Sequence, residues 1–311
     1  MESTPPGRLP QVVTSVHSRY KVLQDDSVEM IVIGGSSSRK LADDLAKELG
    51  TNLLQATSRR FPDGECYVRL ETEEIDKEVV IVQNSHPDDM LVELLLLQDA
   101  ATRLGAERIT NVVPYFGYAR QDKLFNKGEA VSAEVMVEHI EMRTSKVITV
   151  DIHSAETLTR FKKAKGVDVH ATGCIGSFFS NAEIDLVLAP DGGAAERAEG
   201  VAKILGCDWD HLVKTRLSST EVKITPKRLD VKGKNVLIVD DIISTGGTIE
   251  AATKQLRSLG AKRIVAVCTH GLFTMGALER LRECCDRVLS TNTLENEVSE
   301  ISVAPAIAKE I

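Results

Sequence analysis

The 311-residue sequence predicts an α/β protein of two tandem, duplicated domains, each a mainly parallel sheet flanked by helices. Short β-branched runs alternate with amphipathic helical patterns, which is typical of parallel strands covered by helices on both faces. The length is enough for about two domains. Two helix-ending glycines also recur, since Gly50 and Gly206 lie 156 residues apart and Gly105 and Gly260 lie 155 residues apart.

A second repeat supports the duplication. The string LGAERI at 104–109 returns as LGAKRI at 259–264. These repeats predict a duplicated domain. Residues 1–27, with three prolines, are predicted to be a poorly ordered N-terminal extension.

Composition excludes several classes of protein. The net charge is −8, only 4% of residues are aromatic, and no run is rich in Lys and Arg, so nucleic acid is not expected as a partner. The longest apolar runs, such as 94–97, are far shorter than the roughly 20 residues of a membrane span. No secretory signal is visible. The six cysteines are scattered, which favours reduced thiols in a cytoplasmic protein.

The most informative segment is VDDIISTGGT at 239–248, which joins an apolar strand to a helical pattern. Glycines let successive N–H groups converge on one point, and a helix N-terminus favours an anion. The carboxylate pair suits sugar hydroxyls or hydrated Mg²⁺. A capped helix after an ordinary turn is the alternative for TGGT alone. The equivalent segment of the first half, 82–87, has no such loop, so one sugar-phosphate site per chain is expected.

This loop resembles the 5-phosphoribosyl-diphosphate loop of type I phosphoribosyltransferases. Five further motifs occur in order: FPDGE at 61–65, YARQDK at 118–123, VDIH at 150–153, APDGG at 189–193 and KTR at 214–216. Together the six motifs resemble those of the ribose-phosphate diphosphokinase (PRPP synthetase) family from about residue 28 onward. The resemblance implies two phosphoribosyltransferase-like domains. The first, over residues 28–170, has the ATP and subunit contacts, and the second, over residues 171–311, has the ribose 5-phosphate loop.

The resemblance also implies a reaction, in which the anomeric hydroxyl of ribose 5-phosphate attacks the β-phosphorus of Mg·ATP and AMP leaves. It implies Mg²⁺ as cofactor, a homo-oligomer of two or more subunits, and an active site shared between subunits. The implied catalytic residues are Lys214 and Arg216. The implied ATP-binding residues are Phe61, Asp63, Gly64, Glu65, Arg120 and Gln121. The implied ribose 5-phosphate-binding residues are Arg216, Asp240, Asp241, Ser244, Thr245, Gly246, Gly247 and Thr248, and the implied metal ligands are His153 and Asp191.

Each of these residues, taken alone, has a structural alternative. His153 is compatible with a satisfied structural histidine, since Mg²⁺ prefers oxygen ligands. Arg120 is compatible with a surface ion pair, Phe61 with plain core, and Lys214 with Arg216 as a solvated pair on an edge strand. The remaining histidines of interest, His86, His170 and His270, are interpreted as structural.

One position departs from the commoner family pattern. Bacterial and animal members usually have a third acidic residue where Ser244 stands, and serine there resembles an archaeal subgroup. Two other functions share part of the pattern. One is a phosphoribosyltransferase that consumes PRPP, against which FPDGE and ARQD argue. The other is a regulatory paralogue without turnover, against which the retained Lys214, Arg216 and His153 argue.

Overall fold

The computed structural model describes residues 30–216, 222–226 and 230–311, so the predicted N-terminal extension lies outside the described residues. The first half contains eight strands: β1 Met30–Gly34, β2 Asn52–Gln55, β3 Thr57–Arg60, β4 Cys66–Arg69, β5 Glu78–Val82, β6 Arg108–Val113, β7 Lys146–Val150 and β8 Lys165–Val169. Its helices are α1 Arg39–Leu49, α2 Asp88–Arg103, α3 Ser132–Ile140 and α4 Thr172–Phe178. Strands β3 and β4 form a separate antiparallel hairpin.

The second half adds β9 Leu186–Ala189, β10 Asp208–Arg216, β11 Val222–Pro226, β12 Asn235–Ile243, β13 Arg263–Gly271, β14 Arg287–Thr291 and β15 Ser299–Ile301. Its helices are α5 Ala195–Leu205, α6 Gly247–Ser258, α7 Ala277–Cys284 and α8 Ala304–Ile307. Among the helices of the described ranges, none has the length and apolar character needed to cross a membrane.

The two large sheets repeat one topology. The first runs β2-β1-β5-β6-β7-β8, and the second runs β11-β10-β9-β12-β13-β14-β15. Apart from the antiparallel β10–β11 pair, every neighbouring pair in these sheets is parallel over the described residues. The predicted duplicated α/β fold is therefore confirmed. The division predicted between residues 170 and 171 falls at the start of α4 and stays a prediction.

Three hydrophobic cores stabilise the packing of the helices on the two sheets. Helices α2 and α3 cover the outer face of the first sheet, through residues such as Leu94 and Val137. Helix α6, with Leu256 among its buried residues, covers the outer face of the second sheet together with α7. Between the sheets, α1, α4, α5 and α8 share one core that includes Val80 and Leu237. Since this central core draws on both sheets, burial of its apolar surface stabilises the association of the two halves.

Polar contacts also cross between the halves. Buried side chains at the strand ends make these bonds, which join Asn84 Nδ2 to the Thr293 carbonyl at 2.9 Å, Thr269 Oγ1 to Asp151 Oδ2 at 2.6 Å, and His270 Nε2 to the Val150 carbonyl at 2.9 Å. Buried polar groups left unpaired would be strongly destabilising, so these contacts specify how the halves dock. Two of them also bring the carboxyl end of β7 to that of β13, which pairs with β12.

Candidate active site

Four of the predicted residues gather where strands of both sheets end. His153 follows β7 by three residues, Asp191 follows β9 by two, and Asp240 with Asp241 lies near the end of β12. His153 Nδ1 lies 3.2 Å from Asp241 Oδ2. The charge of Asp191 acts on Asp240. Ligands bind at this edge of parallel α/β sheets because the loops there leave a crevice.

The two adjacent carboxyl groups differ in ionisation. Burial, followed by the neighbouring charge of Asp241, raises the pKa of Asp240. Burial also opposes ionisation of Asp241, but the hydrogen bond with His153 and the charge of Arg197 outweigh it and lower the pKa of Asp241. The hydrogen bond with Asp241 in turn raises the pKa of His153. One negative charge therefore sits on Asp241, beside a carboxyl group that a proton or a cation would neutralise.

The predicted phosphate loop surrounds a cavity of about 160 Å³. Its lining residues are Asp240, Ile242, Ile243, Ser244, Thr245, Gly246, Gly247, Thr248 and Ile249. Helix α6 begins at Gly247, so the first N–H groups of the helix belong to residues of this lining and have no carbonyl one turn back. Such a terminus attracts phosphate. The structure thus brings all five predicted loop residues, 244–248, to one cavity.

Gly246 is required by the backbone at the start of α6. Its φ is 75°, in the left-handed region, and a Cβ there would lie 3.2 Å from Leu281 and 3.3 Å from Ala277.

Residues outside the loop hold its carbonyl groups by hydrogen bonds. The Thr274 N–H donates to the Ser244 carbonyl at 3.0 Å, and Arg280 donates to the Thr245 carbonyl at 2.7 Å. Arg280 thereby fixes the loop although it lies 32 residues beyond Thr248.

A second cavity, of about 220 Å³, adjoins the first. It is lined by the predicted ATP-binding residues Arg120 and Gln121 and by His153, and it shares Ile242 with the phosphate loop. Tyr115, Phe116 and Tyr118 also line this cavity. Aromatic side chains beside a guanidinium suit a nucleotide, whose base is planar and whose phosphates are anionic.

One carboxylate, that of Glu129, accepts several hydrogen bonds from the segment that includes Arg120 and Gln121. Glu129 accepts from Gln121 Nε2 at 3.2 Å and from the N–H groups of Phe125 at 2.8 Å and Asn126 at 2.9 Å. The Asn126 side chain donates as well, and these hydrogen bonds lower the pKa of Glu129 to about 2. Glu129 therefore stays ionised and orders the loop over residues 121–129, which begins with Gln121 of the cavity wall.

The predicted residues of FPDGE lie elsewhere, at the tip of the β3–β4 hairpin. The Phe61 N–H donates to the Glu65 carbonyl at 2.9 Å, and Gly64 has φ 96°. Phe61 is 41% exposed, with its ring edge-on to Tyr67 at 5.7 Å. Among the described residues that line the two cavities, none comes from this hairpin. A single chain thus leaves Phe61, Asp63, Gly64 and Glu65 apart from the rest of the site.

Lys214 and Arg216 occupy the last part of β10. Their backbones pair with Ile224 and Val222 of antiparallel β11. Their side chains lie outside what the structure describes, so their catalytic roles stay predictions.

The donor set fits a hard divalent cation that is held mainly by substrate. In the described ranges, no cluster of three or more His, Cys, Asp or Glu side chains could hold an ion alone. The carboxylates of Asp191, Asp240 and Asp241 supply the oxygen ligands that Mg²⁺ prefers, and Mg²⁺ commonly binds one or two carboxylates together with substrate phosphates. The contact of His153 with Asp241 uses Nδ1, and a metal-binding histidine commonly bonds a carboxylate through the nitrogen that does not bind the metal, so the role of His153 as a metal ligand stays a prediction.

Sequence reasoning missed four residues that shape the site: Asp151, Glu129, Arg197 and Arg280. Asp151 lies inside a motif that was noted for His153, but its burial and its contact with Thr269 depend on the docking of the two halves. Arg197, Glu129 and Arg280 sit in charged helical or loop segments, where nothing distinguishes them from surface residues. His270, interpreted as structural, is buried and bonded at both ring nitrogens, to Thr293 Oγ1 and to the Val150 carbonyl.

Comparisons with known proteins agree with this architecture. Residues 30–143 match the model of the N-terminal domain of ribose phosphate pyrophosphokinase, and residues 155–307 match the phosphoribosyl transferase domain. Ribose-phosphate pyrophosphokinase of Thermococcus kodakarensis is 44% identical over 277 residues, covering 88% of this chain and 98% of the relative. Ribose-phosphate pyrophosphokinase 2 of Archaeoglobus fulgidus is 40% identical over 283 residues, covering 91% of this chain and 100% of the relative.

A solved structure shows the same likeness. The crystal structure of phosphoribosylpyrophosphate synthetase from Mycobacterium smegmatis superposes with a TM-score of 0.74 at 32% identity, covering 91% of this chain and 97% of that one. The identity of the archaeal relatives, extending over nearly their whole length, agrees with the archaeal pattern seen at Ser244. With both domain models matched in order, the chain belongs to the ribose-phosphate pyrophosphokinase family.

Proposed function

We propose that this protein is a ribose-phosphate pyrophosphokinase, which transfers the diphosphoryl group of ATP to the C1 hydroxyl of ribose 5-phosphate. The observation that carries the proposal is the junction of two cavities at the strand ends. One cavity is lined by the predicted phosphate loop and by Asp240, and the other is lined by Arg120, Gln121 and His153. They share Ile242, so a sugar phosphate in the first lies next to a nucleotide in the second.

The ribose 5-phosphate site follows from the loop. The N–H groups at the start of α6 and the hydroxyls of Ser244, Thr245 and Thr248 bind the 5-phosphate. The carboxylates of Asp240 and Asp241 accept hydrogen bonds from the ribose hydroxyls, which positions the sugar. The C1 hydroxyl oxygen then forms a bond to the β-phosphorus of ATP and its proton is released to solvent, while the bond from the β-phosphorus to the oxygen bridging the α-phosphorus breaks. That oxygen leaves with AMP.

Two groups of residues serve the nucleotide. Arg120 and Gln121 hold ATP in the second cavity, and Lys214 with Arg216 neutralises the charge on the transferring group. Asp191 and His153, with the acidic pair and the ATP phosphates, would hold Mg²⁺, and the ion would supply charge neutralisation on the phosphoryl oxygens. His153 keeps Asp241 oriented through their 3.2 Å contact.

We also propose that the site is shared in a homo-oligomer. Phe61, Asp63, Gly64 and Glu65 project on an exposed hairpin rather than into either cavity of the same chain. Placed by a partner subunit, Phe61 stacks on adenine, and Asp63 and Glu65 accept from the adenine amino group. A cytoplasmic location stays part of the proposal, and all six cysteines are free thiols.

The deciding experiment identifies the products. The purified protein is incubated with Mg²⁺, ribose 5-phosphate and ATP labelled at the β-phosphorus, and the nucleotides and sugar phosphates are separated. We expect AMP and labelled PRPP in equal amounts, with neither formed when ribose 5-phosphate is omitted. ADP formation, or no AMP, would contradict the proposal. In that case PRPP consumption with nucleobases is the next assay.

A further inference from the structure

The carbonyl groups of three successive residues before α6 are all bound from one side. The Ile243 carbonyl accepts from the first two N–H groups of the segment 272–274, and the Ser244 carbonyl accepts from the third, each at 3.0 Å. The Thr245 carbonyl accepts from Arg280 Nη2 at 2.7 Å. The segment between β13 and α7, together with the first turn of α7, therefore holds the start of the phosphate loop.

These bonds fix the direction of the N–H groups that follow. In a trans peptide, the carbonyl of one residue and the N–H of the next point in opposite directions. Carbonyls bound at residues 243–245 therefore turn the N–H groups of residues 244–246 away from α7. Within the described part of the chain, no group accepts a hydrogen bond from these three N–H groups.

The cavity of about 160 Å³ lies on the opposite side of the loop from α7. Residues 244–246 line this cavity, whereas none of its lining residues belongs to the described segment 272–280. The three N–H groups thus face the cavity together with the start of α6. Successive N–H groups that converge on one cavity bind a phosphate group.

Arg280 joins the loop to the segment that holds it. Its Nη1 donates to the Met275 carbonyl at 2.6 Å while its Nη2 binds the loop, and its Nε lies 3.6 Å from Glu250 Oε2 of α6. Hydrogen bonds from a charged donor are stronger than those between neutral groups. Phe273 and Met275 have φ of 44° and 56°, a region that residues other than glycine adopt only where their surroundings hold them there.

The peptide between Thr245 and Gly246 depends on this one side chain. Among the described residues, Arg280 is the donor to the Thr245 carbonyl, and no backbone N–H donates to it. Glycine adopts left-handed and right-handed conformations about equally well, so a peptide that precedes glycine rotates more easily than others. Without Arg280, this peptide is free to turn its carbonyl toward the cavity and its N–H away from it.

We propose that Arg280 is a positioning residue for the 5-phosphate of ribose 5-phosphate, which keeps the Thr245 carbonyl out of the cavity and the Gly246 N–H directed into it. By fastening the segment that follows β13, it also supports the bonds that direct the N–H groups of Ser244 and Thr245. The proposal rests on the proposed function, because it takes this loop as the ribose 5-phosphate site. Arg280 acts through the backbone and lines neither cavity.

The test compares Arg280→Met and Arg280→Lys with Arg282→Met, a control on the same helix whose arginine pairs with Glu297 at the surface. Ribose 5-phosphate binding is measured by calorimetry without ATP or metal, and KM is measured for both substrates. We expect Arg280→Met to weaken ribose 5-phosphate binding about tenfold, as for the loss of a charge-assisted hydrogen bond. The KM for ATP should change much less. Arg280→Lys should recover part of the loss, and Arg282→Met should match the wild type.

Inorganic phosphate shows which part of the ligand is affected. Its dissociation constant at this site is obtained from its displacement of ribose 5-phosphate in the calorimeter. In Arg280→Met this constant should rise by about the same factor as that of ribose 5-phosphate, because both ligands use the same N–H groups. A loss confined to ribose 5-phosphate would assign the effect to the sugar contacts and would overturn the proposal.

Unchanged ribose 5-phosphate affinity in Arg280→Met would also overturn it, as would an equal loss for ATP. A lowered unfolding temperature with unchanged binding would show a purely structural role. If Arg280→Met does not fold, Arg280→Lys decides, since one ammonium nitrogen does not reproduce the two-nitrogen fork, and wild-type affinity in that variant would contradict the proposal. Failure of the proposed function would appear separately, as a wild type that makes no PRPP, and phosphate binding measured directly would still test Arg280.

Discussion

At the scale of single residues, two similar carboxyl groups of the site differ in their pKa. Asp240 and Asp241 are neighbours in sequence, yet the first has a raised pKa and the second a lowered pKa. The difference comes from their partners, since His153 and Arg197 both serve Asp241. Sequence reasoning identified the pair as functional but could not separate their roles, because the partners approach from other strands and helices.

The catalytic role proposed for Lys214 gives the first prediction at this scale. Lys214→Ala should lower kcat by about 10²–10³, the usual loss when a donor to the transition-state charge is removed. The circular dichroism spectrum should stay that of the wild type. Lys203→Met serves as the control for removing an exposed lysine. A kcat within about threefold of the wild type would remove Lys214 from the mechanism.

His270 gives a prediction about stability and pH. Burial lowers its pKa to about 4, below the usual value of 6.5. The unfolded chain therefore binds the proton first as the pH falls, so this residue makes the folded state lose stability from about pH 6.5 down to about pH 4. The full loss is on the order of 3 kcal/mol. In denaturant titrations across this window, His270→Gln should show a shallower decline than the wild type.

The control for that titration is His139→Gln, which removes an exposed histidine of α3. Its stability should follow the pH dependence of the wild type. An equally steep decline in His270→Gln would show that other groups, and not His270, cause the loss of stability in acid.

At the scale of elements, strands and helices were predictable where apolar periodicity is strong. The apolar strand expected before the loop is β12, and the helical pattern expected after the loop is α6. The structure extends β12 through Asp240 and Asp241 to Ile243, which periodicity could not show because carboxylates interrupt the apolar run. The hydrogen bond by which Arg280 fixes the loop could not be predicted either, since it depends on how α7 packs beside α6.

The phosphate loop gives a prediction for an element. Gly246→Ala places a Cβ at φ 75° and within 3.3 Å of Leu281 and Ala277, so the loop must shift. Strain of this kind amounts to about 1–3 kcal/mol, and we expect the KM for ribose 5-phosphate to rise by about tenfold or more. Gly173→Ala is the control, since a Cβ there meets no atom within 4 Å. An unchanged KM in Gly246→Ala would contradict the assignment of this loop to the 5-phosphate.

The loop closed by Glu129 gives a second prediction for an element. Glu129→Ala removes the acceptor shared by Gln121, Phe125 and Asn126, so the loop that carries Gln121 should lose its order. We expect the KM for ATP to rise about three- to tenfold, as for the loss of exposed charge-assisted hydrogen bonds, with ribose 5-phosphate binding unchanged. Glu138→Ala, on the exposed side of α3, is the control. Equal effects on both substrates would show a general loosening of the fold.

At the scale of the whole molecule, the two halves differ at the position where the phosphate loop would repeat. The start of α6 corresponds to the start of α2, and the segment before α2, 82–87, has no glycine-rich turn. Its side chains are engaged within the chain, since the Tyr115 N–H donates to Asn84 Oδ1 at 2.7 Å and the Gly117 N–H donates to Ser85 Oγ at 2.9 Å. Asp88 and Asp89 open α2, and carboxylates at a helix N-terminus disfavour a bound anion. The prediction of one sugar-phosphate site per chain is consistent with this difference between the two helix starts.

The shared site gives the last prediction, which concerns the assembled protein. If the hairpin of one subunit completes the site of its partner, Phe61→Ala and Lys214→Ala remove different parts of the same site from different chains. In a mixed dimer, one of the two sites then contains both changes and the other contains neither. After full subunit exchange of two nearly inactive variants, about a quarter of the wild-type activity should return, because half of the dimers are mixed and each has one intact site.

A reciprocal mixture makes the test decisive. When wild type is exchanged with the double variant Phe61→Ala/Lys214→Ala, each site of a mixed dimer carries one change, so about a quarter of the activity should remain. A site contained within one chain predicts the opposite pattern, with no recovery in the first mixture and about half of the activity in the second. Native mass spectrometry verifies exchange. Because both mixtures contain the same mutations in equal amounts, any difference between them reports only which chain supplies Phe61.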